Sequence, residues 1–431
     1  MKIRLFIIYI LITILSYWRF LHGFTALLDP IMFGSIKIFL FDFILIYMLI
    51  WTFLNLKIVT FVWDSKLGKY KNYILIFTIY GIIPFLIGLI KNTYSPSQMS
   101  LFLWVVLIPY LYLSIRNYTD LKKLLNYWIS IHLVKLTYIF IFEVIIPGRW
   151  FYRLGRLGDT TSNFDTFDRI ENLAIFIILL YLTQAKWKST FEKVIIYLGL
   201  PLSLIIIIVD STRTIYISII IALFFFLLKL RKMKRVKIGK YFISLGLIIV
   251  IALIGNLDLY LNIVERIITI FNYSQDNSAM YRIDLWHLGL DRIADNPLFG
   301  SGMGAHLNFS YLRINPLHST YYMDINSTVH NFYLQNMIWG GVLLFIFFLL
   351  MMSKMFFYFF NFKFNIIEGN KILLIWGFAT IIPSSMIVYM FFPGGPEWQI
   401  WMWFNFSVLI LLNKFLGSEY RSNDSNEKIN S

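Results

Sequence analysis

The stretch "STVHNFYLQNMIWGGVLLFIFFLLMMSK", residues 327–354, passes from a polar segment into a long apolar run. No charged side chain interrupts it between Asn331 and Ser353. A run of this length can cross the roughly 30 Å of bilayer hydrocarbon as an α-helix. It therefore predicts a transmembrane helix that begins beside His330 and Asn331.

Comparable runs recur along the 431 residues, of which 59% are hydrophobic and 14% charged. Such a composition is far too apolar for a soluble domain, and the alternating strands of an outer-membrane barrel are absent. We predict an all-α integral membrane protein with about twelve transmembrane helices. The runs lie near 5–21, 36–56, 73–90, 99–115, 125–147, 171–185, 194–210, 213–229, 241–257, 333–353, 372–392 and 399–416.

Basic residues predict the orientation of these spans. The segment "KLRKMKRVKIGK", residues 229–240, carries seven Lys and Arg, and short loops rich in these residues stay in the cytoplasm. Alternation then places both termini inside and two long loops, 148–170 and 258–332, outside, the second between helices nine and ten. The net charge of +15 is thus explained by membrane orientation, without a nucleic-acid partner. We therefore predict that residues 1–416 form one polytopic membrane domain and that residues 417–431 form a disordered cytoplasmic tail.

The outer loops are rich in arginine and nearly devoid of lysine. Arg153 and Arg156 lie in the first long loop, Arg213 lies in the turn "DSTRT" (210–214), and Arg282 lies in the second long loop. A guanidinium binds phosphate through two parallel hydrogen bonds, which favours an anion site. Alternatively, single arginines reach lipid headgroups or pair with nearby carboxylates, as Arg213 would with Asp210.

The segment "YRIDLWHLGLDRIADNPLFGSGMGAH", residues 281–306, begins with helical spacing and reaches Asn296-Pro297, where a helix cannot continue. Arg282, Trp286, Gly289 and Ile293 share one predicted face. The opposite face carries Asp284, His287, Asp291 and Asp295 and is expected to meet water. The glycines of "GSGMG", 300–304, predict a tight turn that returns the chain to the site.

His330 is the candidate catalytic residue. An imidazole titrates near neutral pH. At the outer face of the membrane that it would border, His330 could therefore take a proton from a sugar hydroxyl. Asn331 could orient it or bind sugar, and Asp210 could orient Arg213. The alternative for His330 is an interfacial anchor or a helix cap. The outer loops contain no Asp-x-Asp motif or histidine cluster, so neither a metal nor another cofactor is implied.

Together these residues resemble the O-antigen polymerase and O-antigen ligase family. His330-Asn331, nine further residues and Gly341 fit its histidine motif, whereas Leu344 stands where the family has a small residue or tyrosine. "DSTRT" looks like its Ser-x-Arg turn. "RIDLW" and "NPLFGSGMG" look like its Arg-x-x-x-Trp and Pro-Leu-Phe-Gly-x-Gly segments.

The resemblance implies a GT-C-related glycosyltransferase in the bacterial cytoplasmic membrane, with both donor and acceptor linked to undecaprenyl diphosphate. Arg213, Arg282, Arg153 and Arg156 would bind the diphosphate and His330 would activate the acceptor, in a metal-independent, inverting reaction. We expect a polymerase of O-antigen or capsule repeat units, with a chain-length regulator as a further partner. The alternatives are an O-antigen ligase that delivers glycan to lipid A core and a lipid-linked glycan flippase or other transporter.

Overall fold

The computed structural model describes most of the second long outer loop and several of the predicted spans. The described residues are 3–22, 31–33, 36–38, 40–55, 57, 71–91, 102–146, 190–204, 223–226, 228, 277–304, 307–315, 318–327, 329, 331–361, 400, 403–412 and 415.

Helices dominate the described chain. They are α1 (Ile3–His22), α2 (Leu40–Leu54), α3 (Lys71–Tyr80), α4 (Ile82–Ile90), α5 (Leu107–Ser114), α6 (Tyr118–Ile139), α7 (Thr190–Val194), α8 (Asn277–Asp295), α9 (Phe332–Asn361) and α10 (Trp403–Leu412). A 3-10 turn, Trp104–Val106, precedes α5, and π-helical turns Phe140–Ile145 and Ile195–Gly199 extend α6 and α7.

Three described stretches are long and apolar enough to cross a membrane: Lys71–Ile90, Tyr118–Phe142 and Phe332–Lys354. Shorter apolar helices occupy Ile3–Ile14, Asp42–Leu54, Trp104–Ser114, Ile195–Leu204 and Trp403–Leu412. The expectation of a helical, multi-pass membrane protein is confirmed. The predicted spans at 171–185, 241–257 and 372–392, the outer loop 148–170 and the tail 417–431 lie outside the described residues, so the number twelve stays a prediction.

The all-α expectation needs one correction, because the described chain also contains two antiparallel hairpins. Strands β1 (Ile31–Phe33) and β2 (Ile36–Ile38) precede α2. Strands β3 (Leu307–Asn315) and β4 (His318–Ser327) pair within the long outer loop. The helical reading of the sequence overlooked this hairpin, although β-branched and aromatic residues of the kind that favour strands are frequent in it.

Helices α3 and α4 together form the span Lys71–Ile90, which runs antiparallel to α9. These helices form the scaffold of the site. The Lys354 ammonium lies 5.6 Å from the centre of the Tyr73 ring, and farther along the pair the Phe77 and Phe348 rings are 5.7 Å apart. Trp403 of α10 packs on the same Phe77 ring at 6.2 Å. Aromatic contacts of this kind hold helices together in lipid, where close packing replaces the hydrophobic effect.

Helix α9 is broken near its middle. Gly340 has φ −126° and ψ 15°, and Gly341 has φ 70° and ψ −173°, so neither residue is helical. The break lies within the apolar span Phe332–Lys354, about 12 Å along the helix from Phe332. Irregular backbone at such a place must be satisfied by other protein groups, because lipid offers no hydrogen bonds.

Candidate functional site

Helix α8 carries Arg282 and has the two faces that its sequence predicts. Gly289 and Ile293 are buried, and Arg282 and Trp286 are half-buried beside them. On the other side His287, Asp291 and Asp295 are exposed, while Asp284 is half-buried. Arg292 and Asp295 form an exposed ion pair of 3.4 Å. The predicted separation of an apolar face from an acidic, water-facing one is confirmed.

The apolar face of α8 packs against the segment that precedes α9. Gly289 makes this approach possible, since a β-carbon there would lie 2.6 Å from Cγ2 of Val329. Val329 is fully buried and directly precedes His330. Arg282 stands seven residues before Gly289 and on the same face, about 10 Å along the helix axis. The fold therefore brings the Arg282 helix to the chain segment that contains His330.

Asn331 begins α9 as its N-terminal cap. Its Oδ1 accepts hydrogen bonds from the backbone N–H groups of Tyr333 (3.0 Å) and Leu334 (3.2 Å). Gln335, one turn later, returns its Oε1 to the N–H of Val329 at 3.3 Å. Helix caps satisfy N–H groups that have no partner inside the helix. These contacts fix the backbone on both sides of residue 330.

After α8 the chain forms a segment that we name the glycine strap, residues 297–304. Its backbone N–H groups at Ser301 and Gly302 donate to the carbonyls of Ile338 (2.7 Å) and Trp339 (3.0 Å) at the break of α9. The Pro297 carbonyl accepts from the N–H of Val342 at 2.8 Å, on the far side of the break. The strap thus supplies the hydrogen bonds that the interrupted helix lacks.

Glycines allow this close contact between backbones. Gly300, Gly302 and Gly304 have φ of 73°, 100° and 93°, in the left-handed region that favours glycine. Gly341, also left-handed, has no room for a side chain, because a β-carbon would overlap the carbonyl of Leu298. The predicted tight turn in "GSGMG" is confirmed. It bends the chain into the helix break.

The strap also contacts the helix pair α3 and α4. The Met303 N–H donates to the Pro84 carbonyl at 2.7 Å, and a β-carbon at Gly88 would overlap the Met303 carbonyl. One turn deeper, the Tyr80 hydroxyl lies 3.4 Å from the carbonyl oxygen of Leu298 and 3.3 Å from that of Gly340. Tyr80 therefore contacts the strap and the broken helix together.

Of the predicted site residues, the structure describes Arg282 and Asn331. It places them on two packed elements, with Arg282 half-buried and Asn331 buried at 7% exposure. His330, Arg213, Arg153, Arg156 and Asp210 lie outside the described residues, and their roles stay predictions.

Tyr80, Pro84 and Gly88 were not among the predicted site residues. They lie in a span with the ordinary apolar pattern of a membrane helix, more than 200 residues before the strap in the sequence. The one available signal was the proline and the two glycines within "YGIIPFLIGLI", residues 80–90. A glycine in a membrane helix permits close approach of another backbone, as Gly88 does for Met303.

Leu344, which departs from the family motif, packs beside the break of α9. Its side chain is fully buried, and a β-carbon at Gly340 would lie 2.7 Å from its Cβ and Cδ2. The missing side chain at position 340 therefore makes the room that the larger residue at 344 requires.

The described site belongs to a helical membrane protein whose outer-loop helix, glycine strap and broken transmembrane helix form one packed unit. Residues 198–349 match the family model described as O-antigen ligase, and this segment includes α8, the glycine strap and the part of α9 that contains the break. The resemblance to the O-antigen polymerase and ligase family is thereby confirmed over these residues. The family points to a glycosyltransferase-like membrane enzyme with lipid-linked glycan substrates. No curated protein matches the chain.

Proposed function

We propose that this protein is a GT-C-related polymerase that joins undecaprenyl-diphosphate-linked oligosaccharide units into surface polysaccharide, either O-antigen or capsule. The reaction takes place at the outer face of the bacterial cytoplasmic membrane. The observation that carries the proposal is the packing of the Arg282 helix against Val329, within the segment that matches the family. This packing supports the proposal because it joins the helix that carries Arg282 to Val329, which directly precedes the candidate base in the sequence.

The chemistry follows from the residue types. The hydroxyl oxygen of the acceptor sugar attacks the anomeric carbon of the donor, and the bond from that carbon to the diphosphate oxygen breaks. Undecaprenyl diphosphate leaves with the electron pair, while His330 takes the hydroxyl proton. Direct attack inverts the anomeric centre. The charge that develops on the leaving group is stabilised by Arg282 and Arg213, with Arg153 or Arg156, so the step needs no metal.

The test compares the wild type with His330→Ala in a host that lacks its own polymerase, at matched membrane levels. The surface glycan is resolved by length on a gel. We expect a ladder from the wild type and single repeats from His330→Ala. His287→Ala is the matched control, because His287 is exposed on the acidic face of α8 and has no part in the mechanism. A full ladder from His330→Ala would exclude a catalytic role for His330.

The same gel separates polymerase from ligase when the glycan is fractionated by its carrier. A polymerase lengthens chains while they are still attached to the polyprenyl lipid. If the strain without the gene keeps long chains on that lipid and none on lipid A core, the protein is the ligase.

A lipid-linked glycan flippase is the second candidate, and one described residue favours it. Lys135 is 2% exposed within the span Tyr118–Phe142. Buried charges in membrane spans often mark transport pathways. A flippase should lose function in Lys135→Met and keep it in His330→Ala. The proposed enzyme should respond in the opposite way.

A further inference from the structure

We propose that Tyr80 is a positioning residue for the transfer reaction, acting through the glycine strap rather than on substrate. In this role its hydroxyl holds the strap against the break of α9 and so fixes the backbone on either side of His330. The inference rests on the proposed function, and it assigns a part of that site to a helix outside the family-matched segment.

The Tyr80 hydroxyl lies between the strap and the break of α9. One donor lies within reach of two carbonyl oxygens, Leu298 on the strap at 3.4 Å and Gly340 at the break at 3.3 Å. Gly340 has non-helical φ and ψ, and Leu298 lies in the turn that follows α8. The Tyr80 ring is held in turn by Phe347, whose ring centre is 5.1 Å away at 70°. The ring packing and the hydroxyl contacts of Tyr80 therefore act at the same place, where the strap meets the break of α9.

The strap connects the first half of α9 with α8. Strap residues Ser301 and Gly302 bind the carbonyls that end the first half of α9, and that half begins at the Asn331 cap. On its other side the strap continues directly from α8, which carries Arg282 and touches Val329 through Gly289. A shift of the strap would therefore move α8 relative to the start of α9. The separation of the leaving-group site from the base depends on that relationship.

The energy of one hydrogen bond sets the size of the expected effect on the rate. A hydrogen bond of this kind contributes about 0.5–1.5 kcal/mol, which corresponds to a rate effect of roughly twofold to tenfold if it is realised in the transition state. Small displacements of catalytic groups can reduce rates strongly without unfolding a protein. Tyr80→Phe removes the hydroxyl and keeps the ring, so the contact with Phe347 is retained.

The experiment measures polymerisation by purified, reconstituted protein with lipid-linked repeat units, for wild type, Tyr80→Phe and Thr78→Val. Thr78→Val is the matched control, since its hydroxyl lies on the same helix and donates within that helix, to the Ile74 carbonyl at 2.8 Å. We expect Tyr80→Phe to lower kcat about twofold to tenfold per folded protein, with KM for the lipid-linked unit unchanged. Thr78→Val should leave both values unchanged.

A purely structural role would lower the yield and the Tm of Tyr80→Phe and leave kcat per folded molecule at the wild-type value, and that result overturns the proposal. A second measurement does not require activity. Disulfide formation between cysteines placed at 289 and 329 should slow in the Tyr80→Phe background and not in Thr78→Val. If the wild type makes no polymer, the proposed function fails, while an unchanged crosslinking rate in Tyr80→Phe refutes the positioning role by itself.

Discussion

Gly289 of α8 faces Val329 so closely that a β-carbon on Gly289 would lie 3.7 Å from Cβ of Val329. This is close to the Cβ–Cβ distance of about 3.8 Å that a disulfide prefers. The chain contains no cysteine, so a pair introduced here has no competing thiol.

Gly289→Cys with Val329→Cys should therefore form a disulfide under mild oxidation. The exchange of valine for cysteine also removes the Cγ2 atom that would crowd a side chain at 289. Formation is measured by a shift in mobility after protease cleavage between the two positions, with and without reductant. Leu290→Cys with Val329→Cys is the control, because Leu290 is half exposed on another face of α8. Equal crosslinking of both pairs would contradict the described packing.

Gly341→Ala should destabilise the protein more than Gly340→Ala. Position 341 combines a φ of 70° with overlap onto the Leu298 carbonyl, whereas position 340 has a negative φ and meets the Leu344 side chain. A positive φ with ψ near 180° is essentially confined to glycine, and it costs another residue about 1–3 kcal/mol. The measurement is Tm in detergent together with the yield of folded protein. A Tm for Gly341→Ala equal to or above that of Gly340→Ala would contradict the strap geometry.

Asn331→Ala should reduce stability by about 1 kcal/mol, because the first turn of α9 loses its side-chain cap. Asn331→Asp keeps an acceptor at the same place and should recover most of the stability. Activity measured on the same variants separates two roles for Asn331. Recovery in Asp indicates that the cap is what matters, whereas an inactive but stable Asp variant indicates that the amide N–H group binds sugar.

Arg282→Lys should lower kcat/KM by about tenfold or more, since an ammonium cannot make the two parallel hydrogen bonds of a guanidinium to phosphate. Arg292→Lys is the control on the same helix, where the side chain is exposed and pairs with Asp295 at 3.4 Å. Exposed pairs of this kind contribute little. Titration of polymerisation with inorganic diphosphate provides the second readout, and Arg282→Lys should weaken its inhibition. Equal behaviour of the two variants would remove Arg282 from the anion site.

Periodic features were predictable from the sequence, and contacts distant in sequence were not. The faces of α8, the start of α9 at Asn331 and the turn in the strap all depend on residues close together in the chain, so local spacing was sufficient to predict them. The break at Gly340-Gly341 is different. Two glycines in an apolar run are compatible with a straight helix, and only the docked strap explains their conformation.

The contribution of Tyr80, Pro84 and Gly88 could not be predicted for the same reason. Their span has the hydrophobicity of any membrane helix, and their partners appear far later in the sequence. The β3–β4 hairpin was not predicted, although β-branched and aromatic residues that favour strands are frequent in its sequence. Register and pairing depend on tertiary context to a degree that helix periodicity does not.

The bond from Met303 to Pro84 has a consequence for protein engineering. The segment that matches the family, residues 198–349, does not contain every residue that its strap contacts. The Met303 N–H donates to the Pro84 carbonyl, which belongs to a helix that precedes this segment in the sequence. A chimera that transplanted this segment alone onto another membrane scaffold would leave the Met303 N–H without its acceptor. A functional exchange would have to include residues 71–90 together with the segment. The structural unit that can be exchanged is therefore discontinuous in sequence.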